Sequence, residues 1–184
     1  MIRQRDINKI QAIIFMHRLI AYLLILKWTY KYNSTFGSLT EKTDPDGNKT
    51  TYAYDANGNN TTITDPLNNI VASFTYDVKG NLTSMTDPTG ALTSYAYDTK
   101  GNVTTITNPL NEVTTLAYDT SNNLTSITDH TGAITSFTYD TSGNILTKTD
   151  PNGNITTYTY DGLNRLIQFR NPQSEITNIA YDLN

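Results

Sequence analysis

The chain has 184 residues, of which only 16% are charged, and its formal net charge is −4. Thirty-three Thr and twenty-one Asn supply most of its polarity, and its 13 basic residues form no cluster of the kind that nucleic acid requires. Cysteine is absent, which excludes a disulfide framework and thiolate metal sites.

The first 27 residues differ in kind from the rest of the chain. After a basic start, residues 12–26 are apolar except for His17 and Arg18. The stretch is short for a membrane span and contains Arg18, and no small-residue cleavage site follows it. Three interpretations stay open for residues 1–27: a signal or anchor, an amphipathic helix that packs on the next segment, and a non-native start of a fragmented reading frame.

From residue 28 onward the sequence repeats with a period of about 21 residues. A second landmark, an Asp-Pro pair or a close variant of it, keeps the same period, and both series contain one step of 22. We therefore predict one extra residue within residues 67–73. A fixed period of this length is the signature of a repeat architecture. The first landmark is a Tyr-Asp pair, which occurs at Tyr54-Asp55, Tyr76-Asp77, Tyr97-Asp98, Tyr118-Asp119, Tyr139-Asp140, Tyr160-Asp161 and Tyr181-Asp182.

Each repeat contains two turn sequences. Asp87-Pro88-Thr89-Gly90 has the residues that a type I turn favours. The other turn begins at the Asp of each Tyr-Asp pair and ends three residues later, usually on Gly. At that last position we predict a positive φ, and Asn122 and Asn164 are the substitutes that tolerate it best. The glycines of this second turn are Gly58, Gly80, Gly101 and Gly143.

The two turns leave about thirteen residues per repeat, which is enough for two strands of about six residues. The strand that leads into each Tyr-Asp pair alternates, with an aromatic or aliphatic residue two positions before the tyrosine, as in Tyr95 and Tyr97. The strand after the turn is less regular, because Val103 and Ile106 are three residues apart. Either a β-bulge or burial on both faces would explain this spacing. The sequence thus predicts stacked β-hairpins with a tyrosine ladder across them.

These units closely resemble the RHS or YD-repeat family. The unit Tyr76-Asp77-x-x-Gly80-Asn81-Leu82 carries the pattern, and residues 160–166 match the common variant YDxxNRL. The resemblance covers about residues 28–184. Its members include bacterial polymorphic toxins, cell-wall-associated proteins, the C component of Tc insecticidal toxins and teneurins. The resemblance implies an all-β fold of stacked antiparallel hairpins in a curved, open sheet, preceded here by a possible short helix.

The resemblance also implies a function, a location and partners. It implies a structural segment of an exported protein, secreted or on a bacterial cell surface, whose full-length shell encloses or presents a C-terminal toxin-like domain. The partners would be further YD repeats and, for the longer parent, that enclosed domain. The alternative is a module that binds cell-surface glycans through exposed tyrosines and Asn or Asp side chains. Nucleic acid is not expected, and a membrane only through residues 1–27.

No residue pattern indicates catalysis, a metal or a cofactor, so we expect no enzyme. The regularly placed aspartates are turn residues, and the turns lack the Gly and Glu positions of an EF-hand. His17 and His130 lie far apart in the sequence, and His130 replaces a turn proline. The tyrosines, aspartates and glycines named above are therefore predicted to be structural repeat residues.

The repeat pattern enters in the middle of a motif at Trp28 and stops at Asn184, before the next turn glycine is due. A β-stack cut in this way would leave an unpaired strand edge, which invites association. We therefore expect two segments, residues 1–27 and an array of about seven repeats at 28–184 that is truncated at its C-terminus. Expressed alone, the chain should be poorly soluble or oligomeric.

Overall fold

A computed structural model describes residue 11, residues 14–16 and residues 27–182. Residues 11 and 14–16 are helical. The rest of residues 1–26, and with it the choice among a signal, an anchor, a packing helix and a non-native start, lies outside the described residues. In the part that is described, no helix is long and apolar enough to cross a membrane.

Residues 29–178 form β-strands joined by short turns, which confirms the all-β antiparallel fold. Every printed strand pair is antiparallel, and the strand order of the open sheet follows the chain from one end to the other without a crossover. The strands are β1 (Thr29–Tyr32), β2 (Leu39–Thr43), β3 (Lys49–Tyr54), β4 (Asn60–Thr64), β5 (Ile70–Tyr76), β6 (Leu82–Thr86), β7 (Leu92–Tyr97), β8 (Val103–Thr107), β9 (Val113–Tyr118), β10 (Leu124–Thr128), β11 (Ile134–Tyr139), β12 (Ile145–Thr149), β13 (Ile155–Tyr160), β14 (Leu166–Arg170) and β15 (Ile176–Asn178).

The chain divides into two compact units. The first comprises Met1–Gly80 and Met85–Ala91, and the second comprises Asn81–Ser84 and Leu92–Asn184. In the first unit, β1 to β5 pair in sequence order. In the second, β7 to β15 do the same. In both units each strand pairs with its neighbours in sequence, because the turns that join them are short.

A β-bulge recurs where each tyrosine meets the next strand. In the pair β7–β8, Ala96 lies opposite Thr105 but Tyr97 lies opposite Val103, so Thr104 is the extra residue. The same shift occurs in β1–β2, β3–β4, β9–β10, β11–β12 and β13–β14. The structure thus selects the bulge from the two explanations of the three-residue spacing.

The bulge brings the apolar residues of both strands to one face of the sheet. Tyr95 and Tyr97 share a face because they are two residues apart, and their partners Ile106 and Val103 therefore lie on that face as well. We call this side, which carries the tyrosines of the Tyr-Asp pairs, the aromatic face. The other side carries mainly Thr, Ser and Ala, as at Thr115 and Ala117 of β9, and we call it the threonine face.

Burial follows these two faces. In β9, Thr114, Leu116 and Tyr118 of the aromatic face are half-buried, whereas Val113, Thr115 and Ala117 of the threonine face are exposed. No side chain among the described residues is fully buried, as expected for strands that form a single layer. The stability of this sheet must therefore come from cross-strand pairs and turns rather than from a closed core.

The extra residue of the one 22-residue step is also a bulge. Between β4 and β5, Ile63 lies opposite Ala72 but Thr64 lies opposite Ile70, so Val71 is unpaired. Val71 lies inside the predicted window of residues 67–73. An added residue in a strand is absorbed in this way without changing the face on which the following tyrosine lies.

Candidate functional site

The best-defined cluster of side chains in each repeat is the five-residue turn that follows the Tyr-Asp tyrosine. We call it the YD turn, and we call its counterpart at the Asp-Pro position the DP turn. In the YD turn of residues 140–144, the Gly143 N–H donates to the Asp140 carbonyl at 3.2 Å and the Asp140 N–H donates to the Asn144 carbonyl at 2.9 Å. This is a type I turn whose fourth residue adopts positive φ, a common three-residue hairpin connection.

The aspartate side chain closes the turn. One oxygen, Asp140 Oδ1, accepts the Ser142 and Asn144 N–H groups, each at 2.9 Å. The other oxygen, Oδ2, accepts the Asn144 side-chain amide at 2.9 Å. The same three bonds occur in the DP turn that starts at Asp150. Three donors from its own turn thus occupy each of these carboxylates.

The first and fifth residues of each turn form a complementary side-chain pair. The usual pair is Asp with Asn, but in one DP turn the roles are exchanged, because Asn108 donates its amide to Glu112 at 2.7 Å. In the last complete YD turn, Arg165 donates to Asp161 at 2.7 Å and forms an ion pair with it. Sequence reasoning missed this fifth position, although its signal was visible as the recurring Gly-Asn dipeptide.

These hydrogen bonds stabilise the ionised form of the aspartates. The pKa of Asp140 is lowered from its ordinary value of 3.8, first by the Asn144 side-chain amide and then by the Asn144 backbone N–H, against a smaller opposing effect of desolvation. In Asp129 the largest cause is instead the Thr131 hydroxyl. The carboxyl groups with a lowered pKa are Asp44, Asp55, Asp65, Asp87, Asp98, Asp119, Asp129, Asp140, Asp150 and Asp161.

The fourth position of the turns has the predicted positive φ, with values of 87° at Gly80 and 85° at Gly143. Asn122 and Asn164 substitute for glycine there with φ of 68° and 59°. Three DP-turn residues do the same and were missed in the sequence: Asn68, Asn111 and Ser174. Their position relative to Asp or Asn at the start of the turn was the available signal.

A valine at Gly143 should destabilise the sheet more than a valine at its neighbour Ser142. A β-branched residue at φ of 85° is strained, and we expect Gly143→Val to lower the free energy of unfolding by about 2 kcal/mol. Ser142 is exposed, so Ser142→Val should change it by less than about 0.5 kcal/mol. Urea denaturation of both variants tests this expectation, and equal losses would contradict it.

Successive YD turns are also joined to each other within the second unit. The Asn102 amide donates to Asn122 Oδ1 at 3.2 Å, and the Asn144 amide donates to Asn164 Oδ1 at 2.9 Å. In both cases the acceptor is the asparagine that replaces glycine. Lys100 adds a third link by donating to the Thr120 carbonyl at 2.8 Å. The positive-φ asparagines thus offset part of their backbone strain by a bond to the preceding repeat.

This bond revises the expected effect of changing Asn122 to glycine. The sequence alone predicts a neutral or mildly stabilising change, because glycine relieves strain. The lost bond from Asn102 opposes that gain, so we expect a change within about 0.5 kcal/mol of zero. Asn122→Ala should lose about 1 kcal/mol, because alanine relieves no strain and cannot accept the bond. Thermal or urea unfolding of both variants distinguishes these outcomes, and a glycine variant as unstable as the alanine variant would contradict them.

The tyrosines of the Tyr-Asp pairs reach back to the previous repeat. The Tyr139 hydroxyl donates to the Leu124 carbonyl at 2.7 Å, across fifteen residues of sequence. Leu124 is the residue that pairs with the previous tyrosine, Tyr118, at the bulge. The same hydroxyl-to-carbonyl bond is made by Tyr54 to Leu39, Tyr97 to Leu82 and Tyr181 to Leu166.

Half-burial on the aromatic face also affects tyrosine ionisation. Desolvation raises the pKa of Tyr139, and the nearby negative charge of Asp119 raises it further. Tyr76 and Tyr160 shift in the same direction for the same first reason. These phenols are therefore held in the neutral form, which is the form that donates to a carbonyl.

Two clefts lie between neighbouring YD turns of the second unit. The larger, of about 450 Å³, is lined in part by Asp119, Tyr139 and Asp140, and the smaller, of about 370 Å³, by Asp98, Tyr118 and Asp119. Their aspartates already accept the bonds of their own turns.

Within the described ranges, no three His, Asp or Glu side chains are placed to hold a metal ion. His130 lies 3.4 Å from Glu112, which belongs to the preceding DP turn, and His17 lies outside the described residues.

Comparison with known proteins identifies these turns and strands as those of a described repeat. The model of the family called teneurin YD-shell matches residues 68–184, and the RHS repeat model matches residues 32–70. Both families are structural shell repeats. A comparison with curated protein sequences gives no significant match.

Solved structures share the fold. The Tc holotoxin pore of Photorhabdus luminescens with a mutated TccC3 aligns with a TM-score of 0.65 at 21% identity, over 82% of this chain and 9% of that chain. The complex TcdB2-TccC3-Cdc42 aligns with a TM-score of 0.67 at 20% identity, over 85% and 10% of the two chains. TcdB2-TccC3 without its hypervariable C-terminal region gives 0.65 at 20% identity, over 85% and 10%.

The chain thus spans about 10% of the length of the solved chains that it matches. At this level of identity, the structural likeness concerns the fold alone. The family match is independent of it and includes five of the seven Tyr-Asp turns between its ends, from Asp77 to Arg165. Because the teneurin YD-shell model covers more than half of the 184 residues, the chain belongs to the YD-shell family of RHS-repeat proteins.

Proposed function

We propose that this chain is a section of the wall of a larger YD shell and that it performs no catalysis itself. The observation that carries the proposal is the use of the repeat residues. The aspartates, glycines and tyrosines of the Tyr-Asp series take part in turn closure, positive φ or bonds between repeats. A side chain that is fully engaged in holding its own backbone is suited to building a wall rather than to turning over a substrate.

The full-length protein would use this wall to enclose or present a C-terminal, toxin-like domain. The fold is shared with TccC3 complexes, one of which is described as lacking a hypervariable C-terminal region. Since the chain spans about 10% of such a structure, we propose that further YD repeats complete the shell. The two-segment division at residue 28 belongs to the same proposal, because the repeat begins there.

We further propose that the parent protein is exported to the cell exterior. The support is its family and its Thr- and Asn-rich strands, which lack cysteine. The comparisons give no support to a glycan-binding strip on the tyrosines. Four of these tyrosines have their hydroxyl bound to a carbonyl of the preceding repeat, as described above, and only the remaining ring surface would be open to a sugar.

The native product tests this proposal. Antibodies against residues 82–160 should recover from the native cells, or from their medium, a polypeptide much longer than 184 residues. Peptide mass spectrometry should find further Tyr-Asp repeats in it. Recovery of a product of this length alone, folding as a cooperative monomer, would refute the wall proposal.

A further inference from the structure

Two Asn-Gly pairs occur in the chain, at Asn57-Gly58 in a YD turn and at Asn152-Gly153 in a DP turn. Asparagine is thermolabile, and glycine after it presents the least steric hindrance to attack on the side-chain amide by the following backbone nitrogen. Both asparagines are the third residue of their turn and both are exposed. The two sites therefore form a matched pair within one molecule.

The side-chain amides of both asparagines are available for reaction. In each turn the asparagine donates only its backbone N–H to the turn aspartate, at 2.9 Å in both cases, and forms no side-chain hydrogen bond within the described residues. This differs from Asn144 and Asn154 at the fifth turn position, whose amides are bound to Asp140 and Asp150. The turn chemistry thus protects the fifth-position asparagines and leaves the third-position asparagines unprotected.

The surroundings of the two glycines differ. A Cβ atom placed on Gly58 would lie 3.0 Å from the ring of Phe36, which belongs to the longer first turn of residues 33–38. A Cβ atom placed on Gly153 would meet no heavy atom within 4 Å, and Gly153 is exposed. Attack requires the peptide between asparagine and glycine to rotate out of the turn. Only at Gly58 does a packed ring oppose that rotation.

One hydrogen bond must break at either site. The Gly153 N–H donates to the Asp150 carbonyl at 2.9 Å, and the Gly58 N–H donates to the Asp55 carbonyl at 3.2 Å. The longer bond at Gly58 would favour reaction at Asn57, whereas the ring favours reaction at Asn152. A difference of 0.3 Å in an exposed hydrogen bond is a small effect beside the displacement of a packed aromatic ring.

We propose that Asn152 is a site of spontaneous deamidation and isoaspartate formation, and that Phe36 protects the equivalent Asn57. The Gly153 nitrogen loses its proton to water and attacks Cγ of Asn152, the C–N bond of the amide breaks, and ammonia leaves. Water then opens the resulting succinimide at either carbonyl, which gives aspartate or isoaspartate. No oxidant, reductant or enzyme is needed.

Isoaspartate at position 152 would lengthen the turn by one backbone atom. The Asp150 side chain then cannot keep its bonds to the N–H groups of both residue 152 and Asn154 while its carbonyl keeps Gly153. The connection between β12 and β13 would loosen, and the turn would gain a negative charge beside Asp150. The modification therefore acts on the one hairpin of the second unit that contains an Asn-Gly pair.

Peptide mapping of the purified full chain, aged at mildly alkaline pH and body temperature, tests this proposal. Deamidated and isoaspartyl peptides should accumulate severalfold faster at Asn152 than at Asn57. The variant Phe36→Ala should accelerate Asn57 to about the rate of Asn152 and leave Asn152 unchanged. In concentrated urea, where neither turn persists, the unmodified sequence should lose both asparagines at similar rates, and this arm does not depend on the folding of any variant.

Three results would overturn the proposal. Asn57 could react in the folded chain as fast as Asn152, or Asn152 could stay intact in the folded chain while it reacts in urea. Retention of a slow Asn57 in folded Phe36→Ala would also refute the role of the ring. Asn152→Gln, which closes the succinimide route at this position, should abolish the isoaspartate signal of its peptide and serves as the assay control.

Discussion

Acidification should destabilise the sheet progressively below about pH 4, near the ordinary aspartate value in an unfolded chain. The turn aspartates have pKa values lowered by bonds from their own turn, so the folded state holds them ionised more strongly than the unfolded state does. Their contribution is therefore present above the unfolded value and is lost as pH falls through the lower folded values. Because ten such carboxyl groups act in the same direction, we expect this to be the largest pH effect in the molecule.

Urea denaturation at a series of pH values, from about 7 down to about 2, measures this loss. Asp140→Asn should reduce the slope in the acid range, because it removes one of the ionised groups while keeping an acceptor oxygen. Asn108 shows that an amide can fill the position, since its Oδ1 accepts the Leu110 and Glu112 N–H groups. Asp46→Asn is the matched control, because the Asp46 side chain closes no turn. A stability that stays constant down to about pH 2 would contradict the role given to the turn carboxylates.

Truncating one tyrosine of the Tyr-Asp series should be the most damaging single change in the strands. Tyr139→Ala removes a half-buried ring from the aromatic face and its bond to the Leu124 carbonyl. Full removal of a buried aromatic residue costs about 3–5 kcal/mol, and half-burial reduces our expectation to about 2 kcal/mol. Tyr139→Phe keeps the ring and should lose about 1 kcal/mol, the contribution of one hydrogen bond.

Thr159→Ala supplies the control on the opposite side of the sheet. Thr159 is exposed on the threonine face, so its loss should change the free energy of unfolding by less than about 0.5 kcal/mol. The three variants should therefore rank Tyr139→Ala, Tyr139→Phe and Thr159→Ala in order of decreasing loss by urea denaturation. An exposed-face variant that costs as much as the loss of the Tyr139 ring would show that the two faces are not distinguished as described.

The period and the turns could be predicted from the sequence because they depend on local chemistry. Asp, Pro and Gly each favour a specific position of a turn, so the predicted positive φ at Gly80 holds without knowledge of any distant residue. The one-residue insertion was placed for the same reason, since two independent landmarks bracket it. Val71 is the residue that the structure leaves unpaired there.

The contacts between repeats could not be predicted in the same way. The bond from the Tyr139 hydroxyl to the Leu124 carbonyl depends on the bulge, and periodicity alone does not decide between a bulge and burial on both faces. The pairing of Asn102 with Asn122 likewise depends on how far apart successive turns lie. Positive φ at Ser174 was missed for a simpler reason, because serine is not a residue that tolerates this conformation well.

Protease protection of the native full-length product tests most directly the claim that this chain belongs to an enclosing wall. A limited digest at neutral pH should leave the region C-terminal to the repeats intact, and the same region expressed separately should be cut readily. Acidification to about pH 3, which should weaken the turn aspartates, followed by digestion with an acid-active protease, should remove the difference. Equal cleavage of the attached and the separate region at neutral pH would contradict the account, since a wall that leaves its contents open to protease does not enclose them.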